Sequence, residues 1–300
     1  MVTRIFISSD AVSLQAKLRL YPTSATVEAE YGDTVVEGST ITLAHHGARN
    51  RNPCPCLYQN VDMGLDAIGL SHLDLDALGG VAALMGRKSP VKGDPQIDQN
   101  LFWSIAAFVD INGPHQLPVW VRMMCAESRD SVQNVVDALY AWFAYSADHR
   151  IYHPRDGTVG DITDECNAAI EALHRIFQGD VALFAAGRAF AERQTDLSVM
   201  SFRGIIGDRV ILRSSEQFVN HLYSGPRGEA VNRCVAYNAT TKSITISLAL
   251  PEEGVNACRF VQAIWGSEAG GHAGIAGSPR NRAMTWQDAQ LVALEFSKFF

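Results

Sequence analysis

The sequence predicts an α/β protein of two domains, the first built on a parallel sheet and the smaller second one on a mixed sheet. Three observations support this prediction. Strand-like apolar runs alternate with helical segments up to about residue 180, a pattern typical of parallel sheets covered by helices. The segment 181–200 is mainly helical in pattern, and the last hundred residues are rich in strands. We therefore predict domains at 1–180 and 201–300, joined by a helical linker.

The composition indicates the class of protein. The 300 residues include 25 Lys and Arg against 32 Asp and Glu, a formal net charge of −7. A protein that coats duplex DNA normally has a basic surplus, so we expect no bulk duplex binding. No stretch reaches the roughly 20 apolar residues of a membrane helix, and no signal peptide is evident. We predict a cytoplasmic protein without a membrane partner, whose six scattered cysteines are reduced.

The first elements are short strands. The segment SATVEAEYGDTVVEGSTITLA (24–44) alternates apolar and polar residues, which predicts antiparallel strands. It ends at His45-His46, and a loop rich in proline and arginine follows. A further strand and helix are expected within 67–86. The segment DPQIDQNLFWSIAAFVD predicts a helix that leads into a buried strand ending at Asp110.

The remaining elements follow from periodicity. LPVWVRMM (117–124) predicts another strand, and apolar residues at helical spacing predict helices from Ser131 and over 162–177. In the last hundred residues, DRVILRSS, RCVAYN and SITISLAL predict strands, followed by a helix that starts near Val255. The closing helix begins with Thr285-x-x-Asp288, the form of a capping box.

The stretch GLSHLDLDALGG (69–80) places His72, Asp74 and Asp76 where the predicted strand passes into the helix. Ligands gather at the carboxyl ends of strands in open α/β sheets. Carboxylate oxygens with an imidazole nitrogen suit Mn²⁺, Mg²⁺ or Zn²⁺. The alternative is a solvated acidic loop.

A second motif, GSEAGGHAGIAGSPRN (266–281), is rich in glycine around His272. Glycines let the backbone approach a ligand closely and leave N–H groups free to bind an anion. Arg280 and Arg282 follow within reach of a phosphate. A tight turn beside a core histidine is the alternative explanation.

Together the two motifs resemble the DHH/DHHA1 phosphoesterase superfamily. SHLDLDALGG is similar to its first motif, and AGGHAGIAG is similar to the glycine signature of its DHHA1 domain. The resemblance implies a DHH-like first domain, a DHHA1-like second domain and catalytic Mn²⁺, with Mg²⁺ or Zn²⁺ as alternatives. The metal ligands that it implies are His72, Asp74, Asp76 and Asp110. The contacts to substrate phosphate that it implies are Gly270, Gly271, His272 and Arg280.

The Asp-His-His motif of the superfamily is missing after Asp110. His45 and His46 are the preferred substitutes as metal ligands, in which case the order of motifs is permuted. His115 is the next candidate, and Asp148-His149 the last. The catalytic roles are assigned to Asp76 and to His46 or His115, either of which is a candidate for protonating the leaving group.

The resemblance implies two-metal hydrolysis of a phosphodiester or phosphoanhydride in a cleft between the domains. The expected partner is a phosphorylated small molecule or a short oligonucleotide, with cyclic dinucleotides and polyphosphate included. One alternative is a non-catalytic nucleotide-binding or nucleic-acid-binding descendant of the fold. Another is a zinc site formed by His45-His46 and Cys54-x-Cys56. The sequence leaves the substrate, the number of metals and the oligomeric state open.

Overall fold

The computed structural model describes residues 2–46, 49–90, 95–124, 129–154 and 156–299. The chain divides into two units. The first unit consists of Met1–Glu30, Val35–His45 and Arg51–Glu192, and the second of Tyr31–Thr34, His46–Asn50 and Arg193–Phe300. A continuous helix, Val181–Ser201, occupies the predicted linker, and the division falls within it.

The strands of the early chain are β1 (Arg4–Ser8), β2 (Ser24–Val27), β3 (Glu30–Tyr31), β4 (Thr34–Val35), β5 (Ile41–Leu43), β6 (Ala67–Leu70) and β7 (Val159–Asp161). The main sheet has the order β5-β2-β6-β1-β7. Its first four strands are parallel and β7 is antiparallel to β1. The sheet is therefore mixed, with a parallel centre and an antiparallel edge.

The antiparallel arrangement predicted for 24–44 is wrong in its main pair, because β2 and β5 are parallel. The small sheet of β3 and β4 separates them in the chain. Ser24 and Thr26 are buried together with Ala25 and Val27, so β2 has no solvent-facing side. Alternation of small polar and apolar residues therefore did not indicate a half-exposed strand here.

The helices that cover this sheet are α1 (Ala11–Leu18), α2 (Leu75–Leu84), α3 (Gln99–Asn112), α4 (Leu117–Met123), α5 (Arg129–Asp148), α6 (Thr163–Phe177) and the start of α7 (Val181–Ser201). The apolar faces of α2 to α7 share one core with the sheet, whereas Leu14 and Leu18 of α1 pack near Gly69 of β6. Phe102 of α3 packs edge-to-face on Phe177 of α6, with ring centroids 4.9 Å apart. This core holds α2 and α3 in place, and both helices carry site residues.

Two strand predictions in this region are wrong. The segment that ends at Asp110 is a helix throughout, and LPVWVRMM forms α4. Asp98 caps α3 by accepting hydrogen bonds from Asn100 N and Leu101 N. A short continuous apolar run does not distinguish a buried strand from a buried helical face, and here the cap and the packing of α3 decide for the helix.

The strands of the second unit are β8 (Phe202–Ile206), β9 (Val210–Ser215), β10 (Arg233–Asn238), β11 (Ser243–Leu248), β12 (Gly270–Gly271) and β13 (Ile275–Gly277). They form a sheet of order β12-β13-β11-β10-β9-β8. The β9–β10 pair is parallel and the other pairs are antiparallel. This confirms an α/β protein with a mixed second sheet.

Helices α8 (Ala257–Trp265) and α9 (Trp286–Lys298) complete the second unit. The predicted capping box is present, because Thr285 and Asp288 hydrogen-bond to each other's backbone N–H. Across the described ranges, no helix combines the length and the apolar character needed to cross a membrane. The cytoplasmic location stays a prediction.

Candidate metal centre

The candidate site lies at the carboxyl edge of the first sheet. Three adjacent parallel strands, β5, β2 and β6, end there. Glu28 directly follows β2, His45 comes two residues after β5, and Ser71 and His72 follow β6. Asp76 lies in the first turn of α2, which starts soon after β6. Parallel strands bring these chain positions to one edge, where α/β proteins bind their ligands.

One imidazole nitrogen faces three carboxylates. His45 Nε2 lies 2.9 Å from Glu28 Oε1, 3.3 Å from Asp76 Oδ2 and 3.5 Å from Asp110 Oδ2. A single N–H is directed to one acceptor, so it cannot satisfy three carboxylate oxygens. We call Glu28, His45, Asp76 and Asp110 the inner cluster. Its members come from two strand ends and two helices, and their ligand atoms converge on one point.

The inner cluster fits a divalent cation. Asp76 Oδ2 is buried and faces His45 Nε2. Ligand atoms of His45, Cys54, Asp76 and Asp110 all lie within 4.8 Å of one another. Neighbouring ligands of an octahedral ion with bonds of about 2.1 Å are about 3 Å apart, close to the separations measured from His45 Nε2. Three carboxylates and one imidazole form a donor set suited to a hard cation such as Mn²⁺ or Mg²⁺.

Glu28 is a site residue that sequence reasoning missed. Its side chain is 1% exposed, and its backbone has a φ of 51°, in the left-handed region that is unusual for a residue other than glycine. Glu28 N donates to Leu43 O, while Ser71 Oγ donates to Glu28 O. These bonds hold Glu28 between the ends of β5 and β6. An acidic residue directly after a buried strand was the available signal.

His72 and Asp74 form a more exposed pair beside the inner cluster, and we call them the outer pair. His72 Nε2 lies 3.1 Å from Asp74 Oδ2 and 3.8 Å from Glu28 Oε2. Asp74 caps α2, because its Oδ1 accepts a hydrogen bond from Ala77 N. The two oxygens of Glu28 thus face two histidines, one in each group. The predicted His72, Asp74 and Asp76 all lie at this edge, and their roles as ligands stay predictions.

Burial and the contacts among the side chains shift the pKa values of Glu28, His45 and Asp76. Burial raises the pKa of Glu28 well above its usual value, against the lowering effect of His45. Burial likewise raises the pKa of Asp76, and the neighbouring Asp110 adds to the rise. For His45, burial disfavours the protonated form, but hydrogen bonding with Asp76, Cys54 and Glu28 outweighs it and raises the pKa. A bound cation would offset the same negative charge.

The structure separates the two cysteines of the zinc alternative. Cys54 Sγ lies 3.6 Å from His45 Nδ1. Cys56 Sγ instead lies 3.7 Å from Trp103 O, while the Cys56 backbone N–H donates to Asp76 Oδ1 at 3.0 Å. Burial raises the pKa of both thiols, so both favour the protonated form without a metal. Cys56 therefore supports the site through its backbone, and a site with two histidines and two cysteines has little support.

The remaining predicted site residues are described by the unit to which each belongs. His115 is half-buried in the 3-10 turn Pro114–Gln116, after α3. His46 belongs to the second unit, where its ring meets that of His272 edge-to-face with centroids 4.4 Å apart. Arg280 is half-buried and follows β13 in the same unit.

The glycines of the second motif are closely packed. A Cβ atom on Gly270 would lie 2.8 Å from the Cα atom of Gly32, which belongs to the same unit. A Cβ atom on Gly271 would lie 2.5 Å from Ile275 O, and its φ of 139° also disfavours a side chain. Packing accounts for the lack of side chains at both positions. Their contact with substrate phosphate stays a prediction.

No protein-family model matches the chain, and a comparison with curated proteins gave no significant match. The resemblance to the DHH/DHHA1 superfamily therefore rests on the two sequence motifs.

Proposed function

We propose that the chain is a metal-dependent phosphoesterase with a DHH-like first domain and a DHHA1-like second domain. Its substrate would carry a phosphodiester or phosphoanhydride, as in a short oligonucleotide, a cyclic dinucleotide or polyphosphate. The observation that carries the proposal is the position of His45 Nε2, within 3.5 Å of three carboxylates at the carboxyl edge of the sheet. Two of these carboxylates are buried and the third is half-buried, and a bound cation would offset their negative charge when all three are ionised.

The proposed cofactor is a pair of Mn²⁺ ions, with Mg²⁺ or Zn²⁺ as alternatives. The inner cluster would hold one ion, and the outer pair would hold the other. Glu28 would contribute one carboxylate oxygen to each, since its Oε1 faces His45 and its Oε2 faces His72. Such ions supply activation of a water molecule and neutralisation of charge on the phosphoryl oxygens.

The surrounding residues hold the carboxylates in fixed directions. The Cys56 backbone N–H donates a hydrogen bond to Asp76 Oδ1, and Asp76 Oδ2 is directed into the inner cluster. The Ala77 backbone N–H likewise donates a hydrogen bond to Asp74 Oδ1, and Asp74 Oδ2 faces His72. Groups oriented before the substrate arrives need little reorganisation during the reaction. The chain therefore supplies a preorganised set of oxygen atoms.

The proposal keeps the predicted catalytic roles. Asp76 would act within the inner cluster, and His46 or His115 would protonate the leaving group. In the second unit, Gly270, Gly271, His272 and Arg280 stay the proposed contacts to phosphate. Comparing His46→Gln with His115→Gln tests the proton donor, because the true donor's loss slows substrates with poor leaving groups more than activated aryl esters.

Hydrolysis of a small substrate panel tests the proposal. The panel contains bis(p-nitrophenyl) phosphate, a dinucleotide, a cyclic dinucleotide and tripolyphosphate, each with Mn²⁺, Mg²⁺, Zn²⁺ or chelator. Wild-type protein should turn over at least one substrate with Mn²⁺, and Asp76→Asn should lose about a hundredfold in rate. Asp164→Asn, on an exposed residue of α6, is the control and should retain full activity. A folded protein without turnover under any metal would contradict the proposal and favour a binding descendant.

A further inference from the structure

Ser71 lies between two of the proposed metal ligands. It directly follows β6, precedes His72 and is fully buried. Its hydroxyl donates a hydrogen bond to Glu28 O, and its backbone N–H donates to the same oxygen at 3.4 Å. The hydroxyl oxygen also lies 3.1 Å from Nδ1 of His72. One serine therefore contacts both the backbone of Glu28 and the ring of His72.

These contacts determine that Nδ1 of His72 carries a proton. A serine hydroxyl has one hydrogen to donate, and a carbonyl oxygen can only accept. Because the hydrogen of Ser71 is directed to Glu28 O, the hydroxyl oxygen can only accept a hydrogen bond from His72. This requires an N–H at Nδ1. In a neutral imidazole, a proton on Nδ1 leaves the lone pair on Nε2.

The Nε2 atom of His72 faces the carboxylates of the proposed outer metal. It lies 3.1 Å from Asp74 Oδ2 and 3.8 Å from Glu28 Oε2. Acceptor atoms that face one another need a hydrogen or a cation between them. The shorter separation is close to the value of about 3 Å between neighbouring ligands of one octahedral ion. An Nε2 lone pair at this position can therefore serve a cation shared with the two carboxylates.

We propose that Ser71 is a positioning residue that holds the Nδ1 proton of His72 and thereby presents Nε2 to the outer cation. This inference rests on the proposed function. Histidines that bind metal donate their other ring N–H to an acceptor, which fixes the tautomer and the ring orientation. Ser71 supplies this acceptor, and through Glu28 O it also holds the backbone of a second ligand.

NMR of the ¹⁵N-labelled histidine rings in the metal-free protein at about pH 8, where an ordinary imidazole is neutral, shows which nitrogen carries a proton. His72→Gln identifies the signals of His72. In wild type, Nδ1 should be protonated whatever the state of Nε2. In Ser71→Ala, Nδ1 has lost its acceptor while Asp74 still faces Nε2, so the proton should move from Nδ1 to Nε2.

The matched control for the NMR experiment is Ser8→Ala. Ser8 is equally buried at the end of β1, the strand that pairs in parallel with β6. Its hydroxyl also donates and accepts, to Thr158 O and from Asp10 N. Both variants therefore remove a buried hydroxyl with two hydrogen bonds, but only Ser71→Ala should change the tautomer of His72.

Titration calorimetry with Mn²⁺ measures the consequence for the metal site. We expect Ser71→Ala to bind Mn²⁺ about tenfold more weakly than wild type, because partners behind a metal ligand typically contribute this much to affinity. Ser8→Ala should bind Mn²⁺ as wild type does. Urea denaturation shows that both variants are folded under the conditions of the titration.

The possible results separate this inference from the proposed function. A wild-type protein whose His72 has an unprotonated Nδ1 would overturn the inference, and so would equal Mn²⁺ affinity in Ser71→Ala and wild type. Equal losses of Mn²⁺ affinity in Ser71→Ala and Ser8→Ala would reduce Ser71 to a structural role and also overturn it. If the tautomer and Mn²⁺ binding depend on Ser71 but no ester is hydrolysed, the inference stands and the phosphoesterase proposal fails.

Discussion

Glu28 Oε1 and His45 Nε2 lie 2.9 Å apart, and both side chains are almost completely buried. The two residues follow adjacent parallel strands, β2 and β5, which places them side by side at the carboxyl edge of the sheet. The backbone of Glu28 has an unfavourable left-handed conformation at this point. The fold therefore holds a buried acid against a buried base within a group of further carboxylates.

Replacing Glu28 by glutamine should weaken Mn²⁺ binding at least tenfold, because the amide retains the size of the side chain but loses its charge. Titration calorimetry with Mn²⁺ measures the change. Glu165→Gln, on an exposed residue of α6, is the matched control and should bind Mn²⁺ as wild type does. Equal affinity of Glu28→Gln and wild type would remove Glu28 from the site.

Gly79→Ala should disturb the site through packing. A Cβ atom at this position would lie 2.6 Å from Cys56 Cβ and 2.7 Å from Trp103 Cζ3. The Cys56 segment would have to move, and its N–H holds Asp76. We expect a loss of about 1–3 kcal/mol in the free energy of unfolding, together with weaker Mn²⁺ binding.

Urea denaturation and Mn²⁺ titration measure the two effects of Gly79→Ala. Gly274→Ala is the stability control, since a Cβ atom at Gly274 has nothing within 4 Å among the described residues. A fully stable Gly79→Ala protein with normal Mn²⁺ affinity would contradict the packing argument.

Glu252 should make the second unit sensitive to acid. Arg233 Nη2 donates to Glu252 Oε1 at 2.5 Å, and hydrogen bonding from Arg233 lowers the pKa of Glu252. A depressed pKa means that the ionised carboxylate stabilises the fold above the carboxyl's unfolded pKa, about 4.3. This stabilisation is lost as the pH falls through the folded pKa.

Glu252→Gln should therefore cost about 1 kcal/mol at pH 7, a modest value because the carboxylate is one-third exposed. As the pH falls through the folded pKa of Glu252, which lies below the unfolded value, the difference from wild type should shrink towards zero. Denaturation curves at several pH values measure this, with the exposed neighbour Glu253→Gln as control. A difference that persists unchanged at acid pH would exclude an ionic origin.

Arg213 should be essential for the stability of the second unit. It is fully buried and donates to the carbonyl oxygens of Ser198, Leu222 and Ser224. Lysine keeps the charge but cannot make the same set of directed bonds. We expect Arg213→Lys to lower the free energy of unfolding by about 3 kcal/mol. Chemical denaturation measures it, and the exposed Arg227→Lys should be neutral.

The sequence correctly predicted those elements whose local residue pattern agrees with their packing in the structure. The strand and helix around His72, Asp74 and Asp76 are present, and so are the capping box at Thr285 and three strands of the second unit. Each has a local cause: an apolar run bounded by polar residues, a cap, or strict alternation. Such features do not depend on distant parts of the chain.

The features that the sequence did not predict depend on contacts between residues that are far apart in the chain. Asp110 was predicted as a site residue at the end of a strand, but it lies on helix α3. The apolar residues that precede it fit a strand and a buried helix equally well. Glu28 lies in a segment whose alternation suggested a solvent-facing acid. Only the parallel pairing of β2 with β5 and β6 brings it against His45. That pairing could not be read from residues 24–44 alone.

Mn²⁺ binding to the wild-type protein, followed by electron paramagnetic resonance, tests the central claim most directly. The signal of free Mn²⁺ decreases as the ion binds, so one titration gives both affinity and stoichiometry. We predict saturable micromolar or tighter binding with two ions per chain, reduced at least tenfold by Asp110→Asn. A folded protein that leaves Mn²⁺ free at millimolar concentrations would contradict a metal centre at Glu28, His45, Asp76 and Asp110.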